Sequence, residues 1–255
     1  MDLQGMPTIV TGGASGLGAA TVKVLTNAGA KVAIFDLNED LAKSVADEVG
    51  AVAIKVDVGD EASVQAAVDA SREAIGPARV LVNAAGMGLG RRIVNKDGPH
   101  SMADFKHVVN INLFGTFDMC RLVAADMVKL EPVNGEERGV IVNVASIFAF
   151  DGPIGDTAYA AAKAGVAGMT LPMARDLASY GVRVGTIAPG IFDTPLARKE
   201  VGNAVDQMVA NVPFPHRMGK PEEFASMVQE IIENPMLNGE TIRLDAAFRM
   251  GMRLG

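Results

Sequence analysis

A chain of 255 residues with 49% hydrophobic and 21% charged residues suits one α/β domain around a single core. Its net charge of −7, carried without basic blocks, argues against nucleic acid as a partner. The single cysteine, Cys120, excludes an internal disulfide and a thiolate zinc site, and its apolar helical setting reads as a small buried hydrophobe.

The first residues, MDLQGMPTIV, lack the basic flank and long apolar run of a signal peptide. No apolar run approaches the roughly 18 residues of a membrane span. The expectation is a cytoplasmic chain with no membrane segment.

Short β-type runs then alternate with longer helical ones. Thr8–Val10 reads as a strand and Gly16–Ala28 as a helix; Lys31–Phe35 and Leu41–Val49 repeat the pair. Ala51–Val56 is followed by the helical Glu61–Ile75, and Arg79–Val82 by a long helix within Met102–Met127. Gly139–Val144 precedes the helical Ala158–Tyr180, Val182–Ile187 precedes Glu222–Glu233, and Glu240–Leu244 closes the series. Runs such as VAIF, VLVN and VIVNV are apolar throughout, as strands buried on both faces require. The pattern predicts a seven-stranded parallel sheet with helices on both faces, a doubly wound Rossmann-type fold in one domain over residues 1–255. Three long loops remain: Met87–Ser101, Glu131–Arg138 and Pro189–Gly219. The first and third follow strand C-termini, where open α/β sheets bind ligands.

The first turn, Thr11-Gly12-Gly13-Ala14-Ser15-Gly16-Leu17-Gly18, joins a strand to a helix. Gly12 permits the tight turn, Gly16 lets the backbone approach a pyrophosphate, and Gly18 lets helix and strand pack closely. The free N–H groups and positive dipole end of the following helix suit phosphate. Asp36 ends the second strand, 18 residues beyond Gly18, at the spacing of an acid that binds an adenosine ribose. Its carboxylate would repel a 2′-phosphate, and neither Leu37, Asn38 nor the glycine-rich loop supplies a cation to offset that. NAD is therefore expected over NADP. Asp57 and Val58 could contact the adenine, and the small residues of Asn83-Ala84-Ala85-Gly86 would let the fourth strand's end lie against the cofactor.

Ser146 follows the fifth strand, Tyr159 comes thirteen positions later, and Lys163 four beyond that. Tyr159 and Lys163 share a helix face. An ordinary tyrosine, with a pKa of about 10, is a poor base near neutrality. A nearby ammonium and a positive nicotinamide favour its phenolate, making it a proton acceptor in alcohol oxidation and a donor in ketone reduction. Lys163 can also hold the nicotinamide ribose, and Ser146 can orient the reacting oxygen. Asn112, inside the long apolar helix, could cap a local kink or hold a water that relays protons to Lys163. His100, His107 and His216 are scattered, read as surface residues, and no metal is expected.

Thr11-Gly12-x-x-x-Gly16-x-Gly18, Asn83-x-Ala85-Gly86, Asn112, Ser146, Tyr159-x-x-x-Lys163 and Pro189-Gly190 together resemble the short-chain dehydrogenase/reductase family over nearly the whole chain. The strings GMTLPMARDL (with Pro172 inside a helix), VPFP before Arg217-x-Gly219, and NPxLNGE before IRLD are similar to that family's type II 3-hydroxyacyl-CoA dehydrogenase branch, whose members also act as 17β-hydroxysteroid dehydrogenases. The resemblance implies NAD-dependent oxidation of an (S)-3-hydroxyacyl-CoA to the 3-oxoacyl-CoA in a homotetramer. By position it assigns Ser15, Leu17, Asp36, Asp57, Val58, Ala84, Tyr159, Lys163, Phe192 and Thr194 to NAD, and Ser146 to substrate, with Ala84 standing where the branch has a cysteine.

Other readings stay open. Arg91, Arg92 and Lys96 could meet CoA phosphates or be solvated loop charges. Phe148, Phe150, Phe192 and Leu196 could line an acyl or steroid pocket or simply pack in the core. The alternatives are a dehydrogenase of a free secondary alcohol or hydroxysteroid, a non-catalytic NAD-binding scaffold, and an NADPH-dependent 3-oxoacyl carrier-protein reductase, against which Asp36 argues.

Overall fold

The structure is a computed structural model that describes residues 1–195, 197, 198, 205–249 and 251. Seven strands form one parallel sheet: β1 (Pro7–Thr11), β2 (Lys31–Asp36), β3 (Val52–Lys55), β4 (Val80–Asn83), β7 (Gly139–Val144), β8 (Val182–Pro189) and β9 (Thr241–Leu244), in the spatial order β3-β2-β1-β4-β7-β8-β9. The chain steps outward from β1 to β3, then returns past β1 to β4. That reversal makes the switch point between β1 and β4, where a crevice opens outside the strand C-termini.

The helices are α1 (Gly16–Asn27), α2 (Glu39–Val49), α3 (Glu61–Ile75), α4 (Met102–Val109), α5 (Gly115–Met127), α6 (Phe148–Asp151), α7 (Thr157–Ala178), α8 (Val205–Ala210) and α9 (Pro221–Glu233). Local chemistry sets several of their starts. Asn38 accepts from Leu41 N at the head of α2, Asp60 from Ala62 and Ser63 N at the head of α3, and Ser101 from Asp104 N at the head of α4.

Successive strand residues face opposite layers. Val10, Ile34, Val82 and Val142 pack with Val22, Leu25, Phe224 and Ile231 on one side of the sheet. Ile9, Phe35, Leu81 and Ile141 pack with Val64, Met119, Val123 and Met127 on the other. Cys120 belongs to this second layer and is wholly buried; burial pushes its thiol up to about 12, so it packs rather than reacts.

Five features depart from the sequence reading. The Met87–Ser101 loop contains a small hairpin, β5 (Val94–Asn95) with β6 (Gly98–Pro99), and the Pro189–Gly219 loop contains α8. The helix over Met102–Met127 is interrupted by a π-helical turn at Asn110–Phe114. It is also long and apolar enough to cross a membrane by length and composition alone, contrary to the expectation of no such run. Half of its most apolar window is buried inside the fold, and the core helix of a soluble protein passes the same test. His100 is half-buried with its Nε2 wholly enclosed, so it is not the surface residue expected.

Candidate active site

The glycine-rich turn between β1 and α1 folds around close approaches. Gly12 has φ +64°, and a Cβ there would lie 2.8 Å from the Ala85 Cα. A side chain at Gly18 would strike the carbonyl of Gly12. Ser15 caps α1 in an extended conformation without a side-chain bond, so the first N–H groups of that helix remain available to an anion. The turn is held by its neighbours: Ala14 N donates to Asp36 Oδ2 at 3.0 Å, and Ala85 N donates to Thr11 Oγ1 at 3.1 Å.

A cleft of 540 Å³ opens above this turn. Its walls include Gly12, Ser15, Gly16, Leu17, Gly18, Asp36, Asp57, Val58, Ala84, Gly86, Tyr159, Lys163, Pro189 and Thr194. The structure thus brings together most of the residues that motif position had selected from six segments of the chain. An elongated cleft floored by glycines, with an acid at one end and a buried lysine at the other, fits a dinucleotide.

Asn83, Asn112, Ser146 and Phe192 are not among its lining residues. Asn83 lies beneath the cleft, where its Nδ2 donates to Asn143 Oδ1 at 2.9 Å. The Phe192 ring packs edge-on against Phe224, 6.2 Å between centroids, and lines a separate 250 Å³ side pocket. Asp57 uses one carboxylate oxygen to accept from Gly59 N at 2.9 Å, which shapes the loop as well as the cleft wall.

Sequence reasoning also missed wall residues. Phe35, Leu37, Met87, His107, Ile111 and Pro195 join the lining, and only their place in the fold marks them. Lys55 was missed for the same reason. It pairs across the sheet with Asp36, so a cation does lie beside the acid, together with Glu39 and Asp40.

At the far end, β7 leads into Ser146 and α7 carries Tyr159 and Lys163. Lys163 is 3% exposed, and its Nζ donates to the carbonyl of Val144 at 2.8 Å. It lies 5.7 Å from the centre of the Tyr159 ring. Burial lowers the ammonium to about 8, which still leaves it mostly charged at neutrality. A buried cation at that distance favours the Tyr159 phenolate. Ser146 is nearly buried, and its Oγ accepts from Phe148 N at 3.2 Å, so its hydroxyl hydrogen is free to donate to an oxygen in the cleft. Phe148 meets Tyr159 edge-to-face at 5.7 Å and fixes one wall beside the phenol.

Asn112 explains the π-helical turn. Its Nδ2 donates to the carbonyls of Val108 at 2.9 Å and Met87 at 2.8 Å, and its Oδ1 accepts from Met87 N at 3.3 Å. By taking the Val108 carbonyl that its own backbone N–H would otherwise use, the side chain pushes the helix into wider register. The same bonds tie the loop after β4 to the helix, directly beneath Gly86. Both Nδ2 hydrogens are committed to carbonyls, which supports the kink-capping role of the two roles open to it.

The substrate-side residues are dispersed. Arg92 and Lys96 are exposed, and Arg91 lies 3.7 Å from Asp104. Phe150 is half exposed beneath the Arg243 guanidinium. Leu196 lies outside the described residues.

A family model described as short chain dehydrogenase matches residues 7–204. The chain is 46% identical to the 3-hydroxyacyl-CoA dehydrogenase type-2 of Bos taurus, over 98% of this chain and 97% of the relative. It is 47% identical to the protein of the same name in Drosophila melanogaster, over 95% and 97%. Among solved structures, the 3-hydroxyacyl-CoA dehydrogenase type-2 from Mycobacterium avium superposes with a TM-score of 0.92 at 44% identity, covering 99% of this chain and 100% of that one.

Proposed function

This chain belongs to the short-chain dehydrogenase family, and on that premise we propose that it is an NAD-dependent 3-hydroxyacyl-CoA dehydrogenase. It interconverts an (S)-3-hydroxyacyl-CoA and the corresponding 3-oxoacyl-CoA. The oxidoreductase chemistry on a CH–OH carbon follows from the family. The observation that carries the mechanism is the buried Lys163 beside Tyr159 at the end of a dinucleotide-shaped cleft.

In oxidation, Ser146 Oγ donates to the substrate oxygen and holds it near Tyr159. The Tyr159 phenolate, stabilised by Lys163, removes the hydroxyl proton. A nicotinamide held at this end of the cleft, beside Tyr159 and Lys163, would supply the acceptor for the hydride lost from the same carbon. Reduction reverses these transfers, with Tyr159 donating its proton to the forming alkoxide. Lys163 carries two further N–H donors besides the one to Val144, and in this reading they would hold the nicotinamide ribose.

The choice of NAD rests on Asp36. Its oxygens accept from Ala14 N and Asn38 N and so face the rim where the adenosine ribose would lie. Lys55 is a single cation there against Asp36, Glu39 and Asp40, leaving a net negative field that disfavours a 2′-phosphate. The acyl-CoA substrate rests on the near full-length similarity to relatives of that name, with Arg91, Arg92 and Lys96 supplying cations on the loop after β4. A homotetramer is part of the same reading. The apolar residues Met102, Phe114 and Phe117, each at least half exposed on one continuous helical run, support an interface between copies. A second reading is a free secondary alcohol or hydroxysteroid, favoured by the aromatic ring of Phe148 edge-on to the phenol.

The deciding experiment follows NADH consumption with acetoacetyl-CoA, beside a matched free ketone and beside NADPH. Fast turnover of the thioester with NADH alone is expected. Turnover of the free ketone without the thioester would overturn the acyl-CoA assignment and leave the tyrosine chemistry in place.

A further inference from the structure

Arg243 lies on β9, the edge strand of the sheet, where an arginine would ordinarily reach into water. Its side chain is instead 21% exposed and grips two segments at once. Nε donates to Asp245 Oδ2 at 2.7 Å, which anchors the guanidinium beside the end of its own strand. Nη2 donates to Asp151 Oδ2 at 2.6 Å and to the carbonyl of Phe248 at 3.2 Å. The guanidinium also lies 5.3 Å from the centre of the Phe150 ring. A planar fork meets partners in these several directions in one orientation only, so the side chain is fixed.

Phe150 and Asp151 end α6, a single helical turn with no side-chain cap and no buried residue. One turn of helix does not hold its place by its own hydrogen bonds. It leans on α7, and Arg243 ties its last residue to the sheet. What α6 carries lies at the reacting centre. Phe148, its first residue, donates its N–H to Ser146 Oγ at 3.2 Å and meets the Tyr159 ring edge-on at 5.7 Å. Phe248, whose carbonyl Arg243 also holds, is buried in one cluster with Ile147, the residue between Ser146 and Phe148. A path of direct contacts thus runs from the guanidinium, through one turn of chain, to the serine hydroxyl and the phenol.

We propose that Arg243 is a positioning residue: by clamping Asp151 and Phe150 of α6 to the end of β9, it sets Ser146 and the Phe148 wall against Tyr159. Arg243 touches no wall of the cleft and takes no part in proton or hydride transfer. Its effect is on the distance and angle at which the serine and the phenol meet the substrate oxygen, on which the rate depends steeply. The assignment rests on the tyrosine chemistry above and holds for an acyl thioester or a free ketone alike.

The test compares Arg243→Gln, Asp151→Asn and the two together with the unmodified enzyme, on acetoacetyl-CoA or, should that not turn over, on the matched free ketone. NADH-binding sites are counted by fluorescence titration, so that kcat is expressed per competent site, and Tm is followed alongside. Arg243→Gln is expected to lower kcat per site by roughly ten- to a hundredfold while NADH affinity stays within about twofold. Asp151→Asn should lower it in the same way, and the pair should lose no more than Arg243→Gln alone, because both act through one contact. Should Arg243→Gln bind no NADH, Asp151→Asn alone decides. A lower Tm or fewer binding sites with kcat per site unchanged would overturn the proposal in favour of a purely structural ion pair. Losses that multiply in the pair would overturn the shared path. Tyr159→Phe runs in the same series: if it retains turnover, the tyrosine chemistry itself has failed and takes this proposal with it, whereas an inactive Tyr159→Phe beside a fully active Asp151→Asn and Arg243→Gln sinks the clamp alone.

Discussion

Replacing Lys163 by methionine should abolish turnover and yet stabilise the ligand-free protein. The ammonium is buried, and its fall from 10.5 to about 8 has desolvation as its cause. That fall corresponds to about 3 kcal/mol of disfavoured charge. Methionine fills a similar volume without charge but forfeits the bond to the Val144 carbonyl, 2.8 Å away, at a cost of roughly 1–2 kcal/mol. The net expectation is a gain of about 1–2 kcal/mol at pH 7. Above pH 8 the sign turns. Between about 8 and 10.5 the unfolded chain still holds the lysine proton that the folded chain has released, so unfolding takes up protons and the unmodified protein gains stability as pH rises. The variant lacks this gain, so its advantage should shrink and then reverse across that window. Cys120 titrates late in the fold and works in the opposite direction, but equally in both proteins, so it cancels in the difference. Urea unfolding of both proteins at pH 7, 8.5 and 10 measures the effect. A variant less stable at pH 7, or a difference that does not move with pH, would refute the account of Lys163 as a strained buried cation.

Tyr159→Phe should cut turnover by roughly 10²–10⁴-fold while cofactor affinity, read by fluorescence titration, stays within a few-fold; retained turnover would remove Tyr159 from the proton path. Asp36→Ala should weaken NAD and narrow the preference against NADP, measured as the ratio of kcat/KM for the two cofactors, and an unchanged ratio would assign discrimination elsewhere. Gly86→Ala would place a Cβ 2.7 Å from Asn112 Oδ1 and 3.4 Å from Lys163 Nζ. The resulting shift of either group should lower kcat about 100-fold with a stability loss of about 1–3 kcal/mol, checked by kinetics and calorimetry together. Ala246 and Ala247 hold φ values of +52° and +60°, a region costly for any residue with a Cβ. Glycine at either position should raise stability by about 0.5–1 kcal/mol after its own entropy cost is counted, and a loss in calorimetry would contradict the strain.

The sheet's composition was legible because strands buried on both faces must be apolar throughout, as in Val80–Asn83 and Gly139–Val144. The glycine turn was legible because Gly12 and Gly18 answer to local geometry that no other residue tolerates. Tyr159 and Lys163 were legible as one unit because a helix places i and i+4 on one face. Asn112 was recognisable as unusual, a polar amide in an apolar run, but the carbonyls that it captures lie partly on another segment, at Met87. Lys55 beside Asp36 depends on strand register, which joins residues from separate β-strands. Phe192 was placed by motif position, yet its ring is drawn to Phe224 on α9. Periodicity and turn chemistry act between near neighbours in the chain and determined the elements. The partners of a buried polar group come from anywhere in the chain, and only the tertiary structure decided them.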